Sequence, residues 1–257
     1  MIDYTFWAIA ILAVFIVGLS KSGLVGSMGM VAVPLLALVM PARDATGMML
    51  PVLLAMDAIA IWVYRKDANW HVLRIMLPGA VVGTILGWLL WSVVTDAQVL
   101  LAVGIITILF MLDALLPLRK RLPDTPPSRP WGTFWGGAAG LTSFISHTGG
   151  PPFQIYTLPL GMTPTVYSAT TAFFFAIVNT MKLLPFFFLG QLSVNNLELS
   201  AALIPFGLIG VGLGVYLVRR ISTKAFYQIA YVLILLLGIK ILYDGIVGVF
   251  FTGVAGA

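Results

Sequence analysis

The chain has 257 residues, 60% of them hydrophobic and only 9% charged, where a soluble domain carries roughly 25% charged residues. Mean hydropathy is +1.06, which excludes soluble enzymes and nucleic-acid readers; the formal net charge of +5 reports membrane orientation, not affinity for nucleic acid. No cysteine is present, so disulfide, zinc and thiol chemistry are excluded.

Apolar segments run over 4–20, 23–40, 45–64, 72–93, 97–117, 131–147, 149–163, 166–190, 197–218 and 224–250. A bilayer core is crossed by about 20 apolar residues, and most segments qualify. Asp3 stands before the first run, where a secretory leader would carry basic residues, so 4–20 is not expected to be a signal peptide. Segment 149–163 is short and holds Pro151, Pro152 and Pro159, and is not expected to cross. The one clear linker, 118–130, contains Arg119, Lys120, Arg121 and Arg129 with four prolines. It separates a first repeat, 1–117, from a second, 131–257, with five segments each.

The halves carry matching marks. Pro78, Gly83 and Gly87 recur as Pro205, Gly210 and Gly214 at a shift of 127, and Gly18-Leu-Ser recurs as Gly140-Leu-Thr at a shift of 122. Internal repeats of this kind are common in secondary transporters. With the linker placed in the cytoplasm, eleven of the 14 Lys and Arg residues fall on the cytoplasmic side and Arg43 alone outside. Lys182 and Lys240 lie within spans. An odd number of segments per half inverts the second half relative to the first. The expected fold is therefore an all-α polytopic membrane protein, with 8–10 transmembrane or re-entrant helices in two inverted repeats and both ends outside. If the first two segments of each half cross fully, Lys21 and His147 end on opposite faces. If each pair dips in as a hairpin, the two breaks meet near the midplane, which is the arrangement expected here.

The chain is organised around Gly140-Leu-Thr-Ser-Phe-Ile-Ser-His-Thr-Gly-Gly-Pro-Pro152. Ser146, His147 and Thr148 supply polar groups, Gly149 and Gly150 relax the backbone, and Pro151-Pro152 open a new helix. Free N–H groups are expected at its start, where anions are favoured. Irregular backbone at membrane depth is tolerated only inside protein or beside a water-filled cavity. In the first half, Lys21 stands among Ser20, Ser22 and Ser27; it suits a small anion, or it snorkels to the cytoplasmic face. Lys182 lies mid-span with Asn179 one turn earlier, and an intramembrane charge usually marks a pathway. Asp57 occupies the position that Asn179 holds at the 122 shift, as an ion-pair partner of Lys182 or Lys21 or as a carrier of a coupling proton. Lys240 and Asp244, spaced i,i+4, are expected to satisfy each other. Asp113 sits near a hydrated span end. Trp62, Trp70, Trp88, Trp91, Trp131 and Trp135 are expected as interfacial anchors.

The Gly18–Gly29 stretch, Thr148-Gly-Gly-Pro-Pro-Phe153, and Ala169-Thr-Thr-Ala-Phe-Phe-Phe175 followed by Asn179 resemble the TauE/SafE family of sulfite and sulfonate exporters, over nearly the whole chain. The first half departs in its sparser glycine run and in Met-Met-Leu-Pro51. The resemblance implies a carrier, usually outward, of a small sulfur-containing anion such as sulfite, thiosulfate or sulfoacetate. It implies a multi-pass protein of the bacterial inner membrane, with the bilayer and a small anion as partners and a homodimer as a compatible assembly. No cofactor, metal or nucleic acid is expected. An anion channel, or a permease for another small organic anion, is the alternative. An intramembrane enzyme is disfavoured, because His71 and His147 are the only imidazoles and no HExxH occurs. No nucleotide-binding loop is present, so a proton or sodium gradient is the expected driver.

Topology is tested first. Single-cysteine variants in this cysteine-free chain, exposed to an impermeant thiol reagent in intact cells, should label at position 195 and not at 129; the reverse pattern overturns the inverted arrangement.

Overall fold

A computed structural model describes residues 4–21, 32–36, 39–115 and 128–251. Among them ten α-helices occur and no strand: α1 Tyr4–Lys21, α2 Ala32–Leu36, α3 Ala42–Tyr64, α4 Trp70–Leu90, α5 Asp96–Leu115, α6 Arg129–Ser146, α7 Gly150–Thr157, α8 Pro164–Phe188, α9 Val194–Val218 and α10 Thr223–Phe250. A short 3-10 turn, Leu158–Leu160, follows α7. Ser22, Ser27, most of the linker and the side chain of Asp113 lie outside the described residues.

Helix starts are set by side chains that accept from the first turn. Asn69 caps α4, Ser128 caps α6, Thr163 caps α8, Ser193 caps α9 and Ser222 caps α10, each accepting from a backbone N–H two or three residues on. These caps move the helix starts up to three residues ahead of the apolar runs, because a cap is polar and hydropathy does not see it. Among the described residues, five helices are long and apolar enough to cross a membrane: α1, α4, α8, α9 and α3 from Arg43 onward. This is a multi-pass, all-α membrane protein.

Packing follows a regular exchange between the halves. One core joins α1, α2 and α3 to α9, through residues such as Val14, Val33, Met56 and Leu203. The other joins α6, α7 and α8 to α4, through Met76, Ala139, Phe153 and Phe174. Each half's first three helices thus receive the fourth helix of the other half. Helices α3 and α8 meet one another, as do α5 and α10.

The exchange depends on backbone contact. A side chain added at Gly18 would strike the carbonyl of Gly207 and stand 3.0 Å from the Cα of Gly210. At Gly83 it would strike the carbonyl of Gly137, and at Gly140 that of Ala80. Lipid tails are as apolar as leucine, so membrane helices gain by close van der Waals approach, which small residues permit. Thr133 adds a hydrogen bond from its hydroxyl to the Ile75 carbonyl, 2.9 Å, between α6 and α4.

Two expectations are corrected. Trp91 and Trp135 are buried, at 6% and 8% exposure, and are core residues, not interfacial anchors. Trp91 packs edge-on against Phe144 and tilted against Phe186; Trp135 lies in the α4–α6–α7–α8 core. Trp62, Trp70, Trp88 and Trp131 are exposed. Lys240 and Asp244 do pair along α10, at 2.5 Å.

Gly18→Leu and Gly83→Leu should each destabilise the protein by at least about 1–3 kcal/mol, the usual cost of overpacking. Gly212→Leu should be tolerated, since nothing lies within 4 Å of that position. Thermal aggregation of detergent-purified protein distinguishes them; equal midpoints for all three would show that helix contact is not glycine-dependent.

Candidate functional site

The elements that break in mid-chain converge on one cavity of about 50 Å³. One water needs at least about 10–15 Å³, so the space suits several waters or one small oxyanion. Helix α1 delivers Ser20 and Lys21 to it, α3 delivers Met49 and Leu53, α6 delivers Ser143, and α8 delivers Thr171, Phe175 and Asn179. His147 lines it from the α6–α7 break, and Gly150 from the start of α7. The described ends that flank the two breaks, Lys21 and Ala32 in the first half and His147 and Gly150 in the second, therefore line the same cavity.

Lys21 ends α1, where positive charge complements the helix dipole. Its ammonium donates to Asp57 Oδ1 at 2.5 Å and lies 5.8 Å from the Phe175 ring centre. The second oxygen of Asp57 accepts from the Asn179 amide at 2.7 Å. Asp57 and Asn179, 122 residues apart in sequence, thus touch where α3 crosses α8. The pair formed is Lys21–Asp57, and Lys182 is not its member.

Lys182 is fully buried. Its ammonium donates to the Ser143 carbonyl at 2.7 Å and the Ser143 hydroxyl at 2.9 Å, and it faces His147 Nδ1 at 2.9 Å. An ammonium has three donors, and three partners surround it. Lys182 is therefore placed behind the cavity wall and does not line it; its charge reaches the cavity through Ser143 and His147.

His147 closes α6 in the left-handed region, with φ 55°, the one non-glycine residue among those described to do so. That position usually falls to glycine. Here the neighbouring glycines are not the residues that take it: Gly149 is right-handed, with φ −68°. The imidazole is fixed at both ends, by Lys182 at Nδ1 and by the Thr46 carbonyl at Nε2, 3.0 Å. These anchors hold a side chain where the backbone turns against its own preference.

Helix α7 offers fewer donors than expected. Pro151 and Pro152 have no N–H, and the Phe153 N–H is spent on the Gly149 carbonyl. Only the N–H groups of Gly149 and Gly150 remain in this turn, and Gly150 is the one at the cavity. Ser146, Thr148 and Gly149 do not line it. The Ser146 and Thr148 hydroxyls bond each other at 2.9 Å, and Thr148 also bonds the Thr142 carbonyl. They brace the break. Gly149 sits under Ala139 and Phe175, with no room for a side chain.

Ser143 stands out in the sequence as a hydroxyl beside His147, but neither it nor Thr171 and Phe175 was named as a site residue from sequence. Helical spacing could have found them: Ser143 is one turn before His147, and Thr171 and Phe175 lie two turns and one turn before Asn179.

Breaking the buried pair by Asp57→Ala should cost about 3–5 kcal/mol, because Lys21 is left uncompensated. Replacing both partners, Lys21→Met with Asp57→Leu, should restore most of that stability. Thermal unfolding of the three proteins reads it out; a double variant no better than Asp57→Ala would show that the pair is not the unit of stability.

A family model described as sulfite exporter TauE/SafE matches residues 10–241. No curated protein and no solved structure matches the chain.

Proposed function

We propose that this chain, which belongs to the TauE/SafE sulfite exporter family, is a secondary carrier that moves a small sulfur-containing oxyanion, sulfite or an organosulfonate, out across the bacterial inner membrane. The family is one of membrane transporters, and the helices agree. The observation that carries the finer reading is the cavity. Lys21 and His147 line it, Asn179, Ser20, Ser143 and Thr171 add polar groups, and a second lysine stands behind its wall. Such a cluster inside an apolar protein is costly unless it serves passage.

In this reading the anion's oxygens take donors from Lys21, His147 and the Gly150 N–H, with Ser20, Asn179 and Thr171 completing the shell. Asp57 holds Lys21 when the site is empty, so carboxylate and anion compete for the same ammonium. The competition weakens binding enough to allow release. Lys182 acts by fixing Ser143 and His147 and by adding positive potential in a poorly screened setting. The corresponding cores of the two halves, with Asp57 meeting Asn179 between them, support an inverted repeat that places the substrate at the interface of its two parts.

Counterflow in proteoliposomes tests the reading with a panel of sulfite, sulfonates and carboxylates. Saturable exchange of the sulfur anions is expected, with carboxylates poor. Lys182→Ala should lose at least tenfold in transport, about 1.4 kcal/mol, and Lys182→Arg should be intermediate, since guanidinium cannot reproduce a point charge on three partners. Gly150→Val should block transport in a folded protein. Flux linear in concentration and indifferent to anion on the far side would indicate a channel, and normal exchange by Lys182→Ala would remove the lysine from the mechanism.

A further inference from the structure

The contact between Lys182 and His147 has room for one proton, not two. The Thr46 carbonyl can only accept, so His147 Nε2 carries a hydrogen toward it. Lys182 Nζ and His147 Nδ1 then face each other at 2.9 Å with a single proton between them. It sits on the lysine, with a neutral imidazole accepting, or on the imidazole, with a neutral amine accepting. In both states the pair carries one positive charge. A second proton would set two donors head to head and two like charges in contact, so the contact must open for the pair to hold it.

We propose that the Lys182–His147 pair takes up one further proton when a doubly charged oxyanion enters the cavity, so that anion and proton move together. The inference rests on the anion-carrier reading above. His147 lines the cavity, so an imidazolium released from Lys182 can turn its Nδ1–H to an anion oxygen, while Lys182 keeps the Ser143 carbonyl and hydroxyl. The charged groups that face His147 are Lys182 from α8 and Lys21 from α1, with Asp57 of α3 behind Lys21. From α6 and α7 the described neighbours at the cavity are Ser143 and Gly150, which carry no charge.

Charge balance selects the stoichiometry. Lys21 and Asp57 cancel, so the empty site holds one net positive charge, on the pair. A monovalent anion is balanced by that charge without any proton. A divalent anion is balanced only after the pair gains a second. Anion and proton then favour each other's binding by the same factor, as linkage requires. Sodium has no counterpart in this scheme, since Asp57 is already bonded at both oxygens.

Calorimetric titration of the detergent-purified full chain tests this, at one pH in buffers of different ionisation enthalpy, with thiosulfate as the divalent probe and methanesulfonate as the monovalent one. Neither probe buffers near neutrality. The dependence of heat on buffer should give about one proton taken up per thiosulfate and about none per methanesulfonate. His147→Gln keeps an N–H for the Thr46 carbonyl and loses the titratable nitrogen; it should bind methanesulfonate, weakened, and take up no proton with thiosulfate. Thiosulfate binding to wild type without proton uptake, or uptake retained in His147→Gln, would each overturn the proposal while leaving the carrier reading intact. Failure of wild type to bind either probe would instead overturn the carrier reading, and this inference with it.

Discussion

One carboxylate ties the centre of this protein together. Asp57 accepts from Lys21 at the end of α1 and from Asn179 in the middle of α8, and it stands on α3. Three helices from both halves are thereby fixed to a single side chain at 2% exposure. In water such a pair would be weak. Inside an apolar bundle the alternative to pairing is an uncompensated charge, so both bonds are held firmly. Four residues that line the cavity are placed relative to this junction: Lys21 by its bond, Asn179 by its amide, and Thr171 and Phe175 by their position on the Asn179 face of α8.

The junction can form only because the helices around it approach so closely. Gly18 on α1 meets Gly207 and Gly210 on α9, while Gly83 on α4 meets Gly137 on α6. These contacts carry α9 into the first half's core and α4 into the second's. The result is that α1 and α6, which end at the two breaks, are each clamped along their length by a helix of the other half. Their ends, Lys21 and His147, are then delivered to one place. Glycine on the helix flank and charge at the helix end are therefore parts of one device.

Much of this was legible in the sequence, for physical reasons that can be named. Apolar runs give spans because the bilayer demands them. The 122-residue offset was visible because Asp57 and Asn179 are polar in a field of apolar residues, and the same contrast marked Lys21, His147 and Lys182. What was not legible depends on direction. Sequence does not say that Asp57 reaches Lys21 and not Lys182, since side-chain direction decides between the two. Nor does it say that Ser146 and Thr148 turn to each other while Ser143, three residues from Ser146, faces Lys182. Trp91 was misread because its place at a span end is the place of an anchor; the aromatic cluster of Phe144 and Phe186 that covers it comes from the other half. The N–H groups of α7 were overcounted, since Pro151 and Pro152 start a helix well but donate nothing.

The polar groups of the centre fall into two kinds, and the difference bears on how a site can be both rigid and exchangeable. Lys182, Thr142, Ser146 and Thr148 are bonded within the protein and turned away from the cavity. They hold the α6–α7 break in shape together with the backbone bonds from the His147 N–H to the Ser143 carbonyl and from the Thr148 N–H to the Thr142 carbonyl. Lys21 and His147 are bonded too, but each presents a face to the cavity and each has a partner that an anion can replace: a carboxylate for Lys21, an amine nitrogen for His147. A site built only from the first kind would be a plug, and one built only from the second would collapse or flood. In the carrier reading, setting exchangeable donors on a braced break would let an anion enter by substituting for bonds already present, with Asp57 keeping its bond from the Asn179 amide.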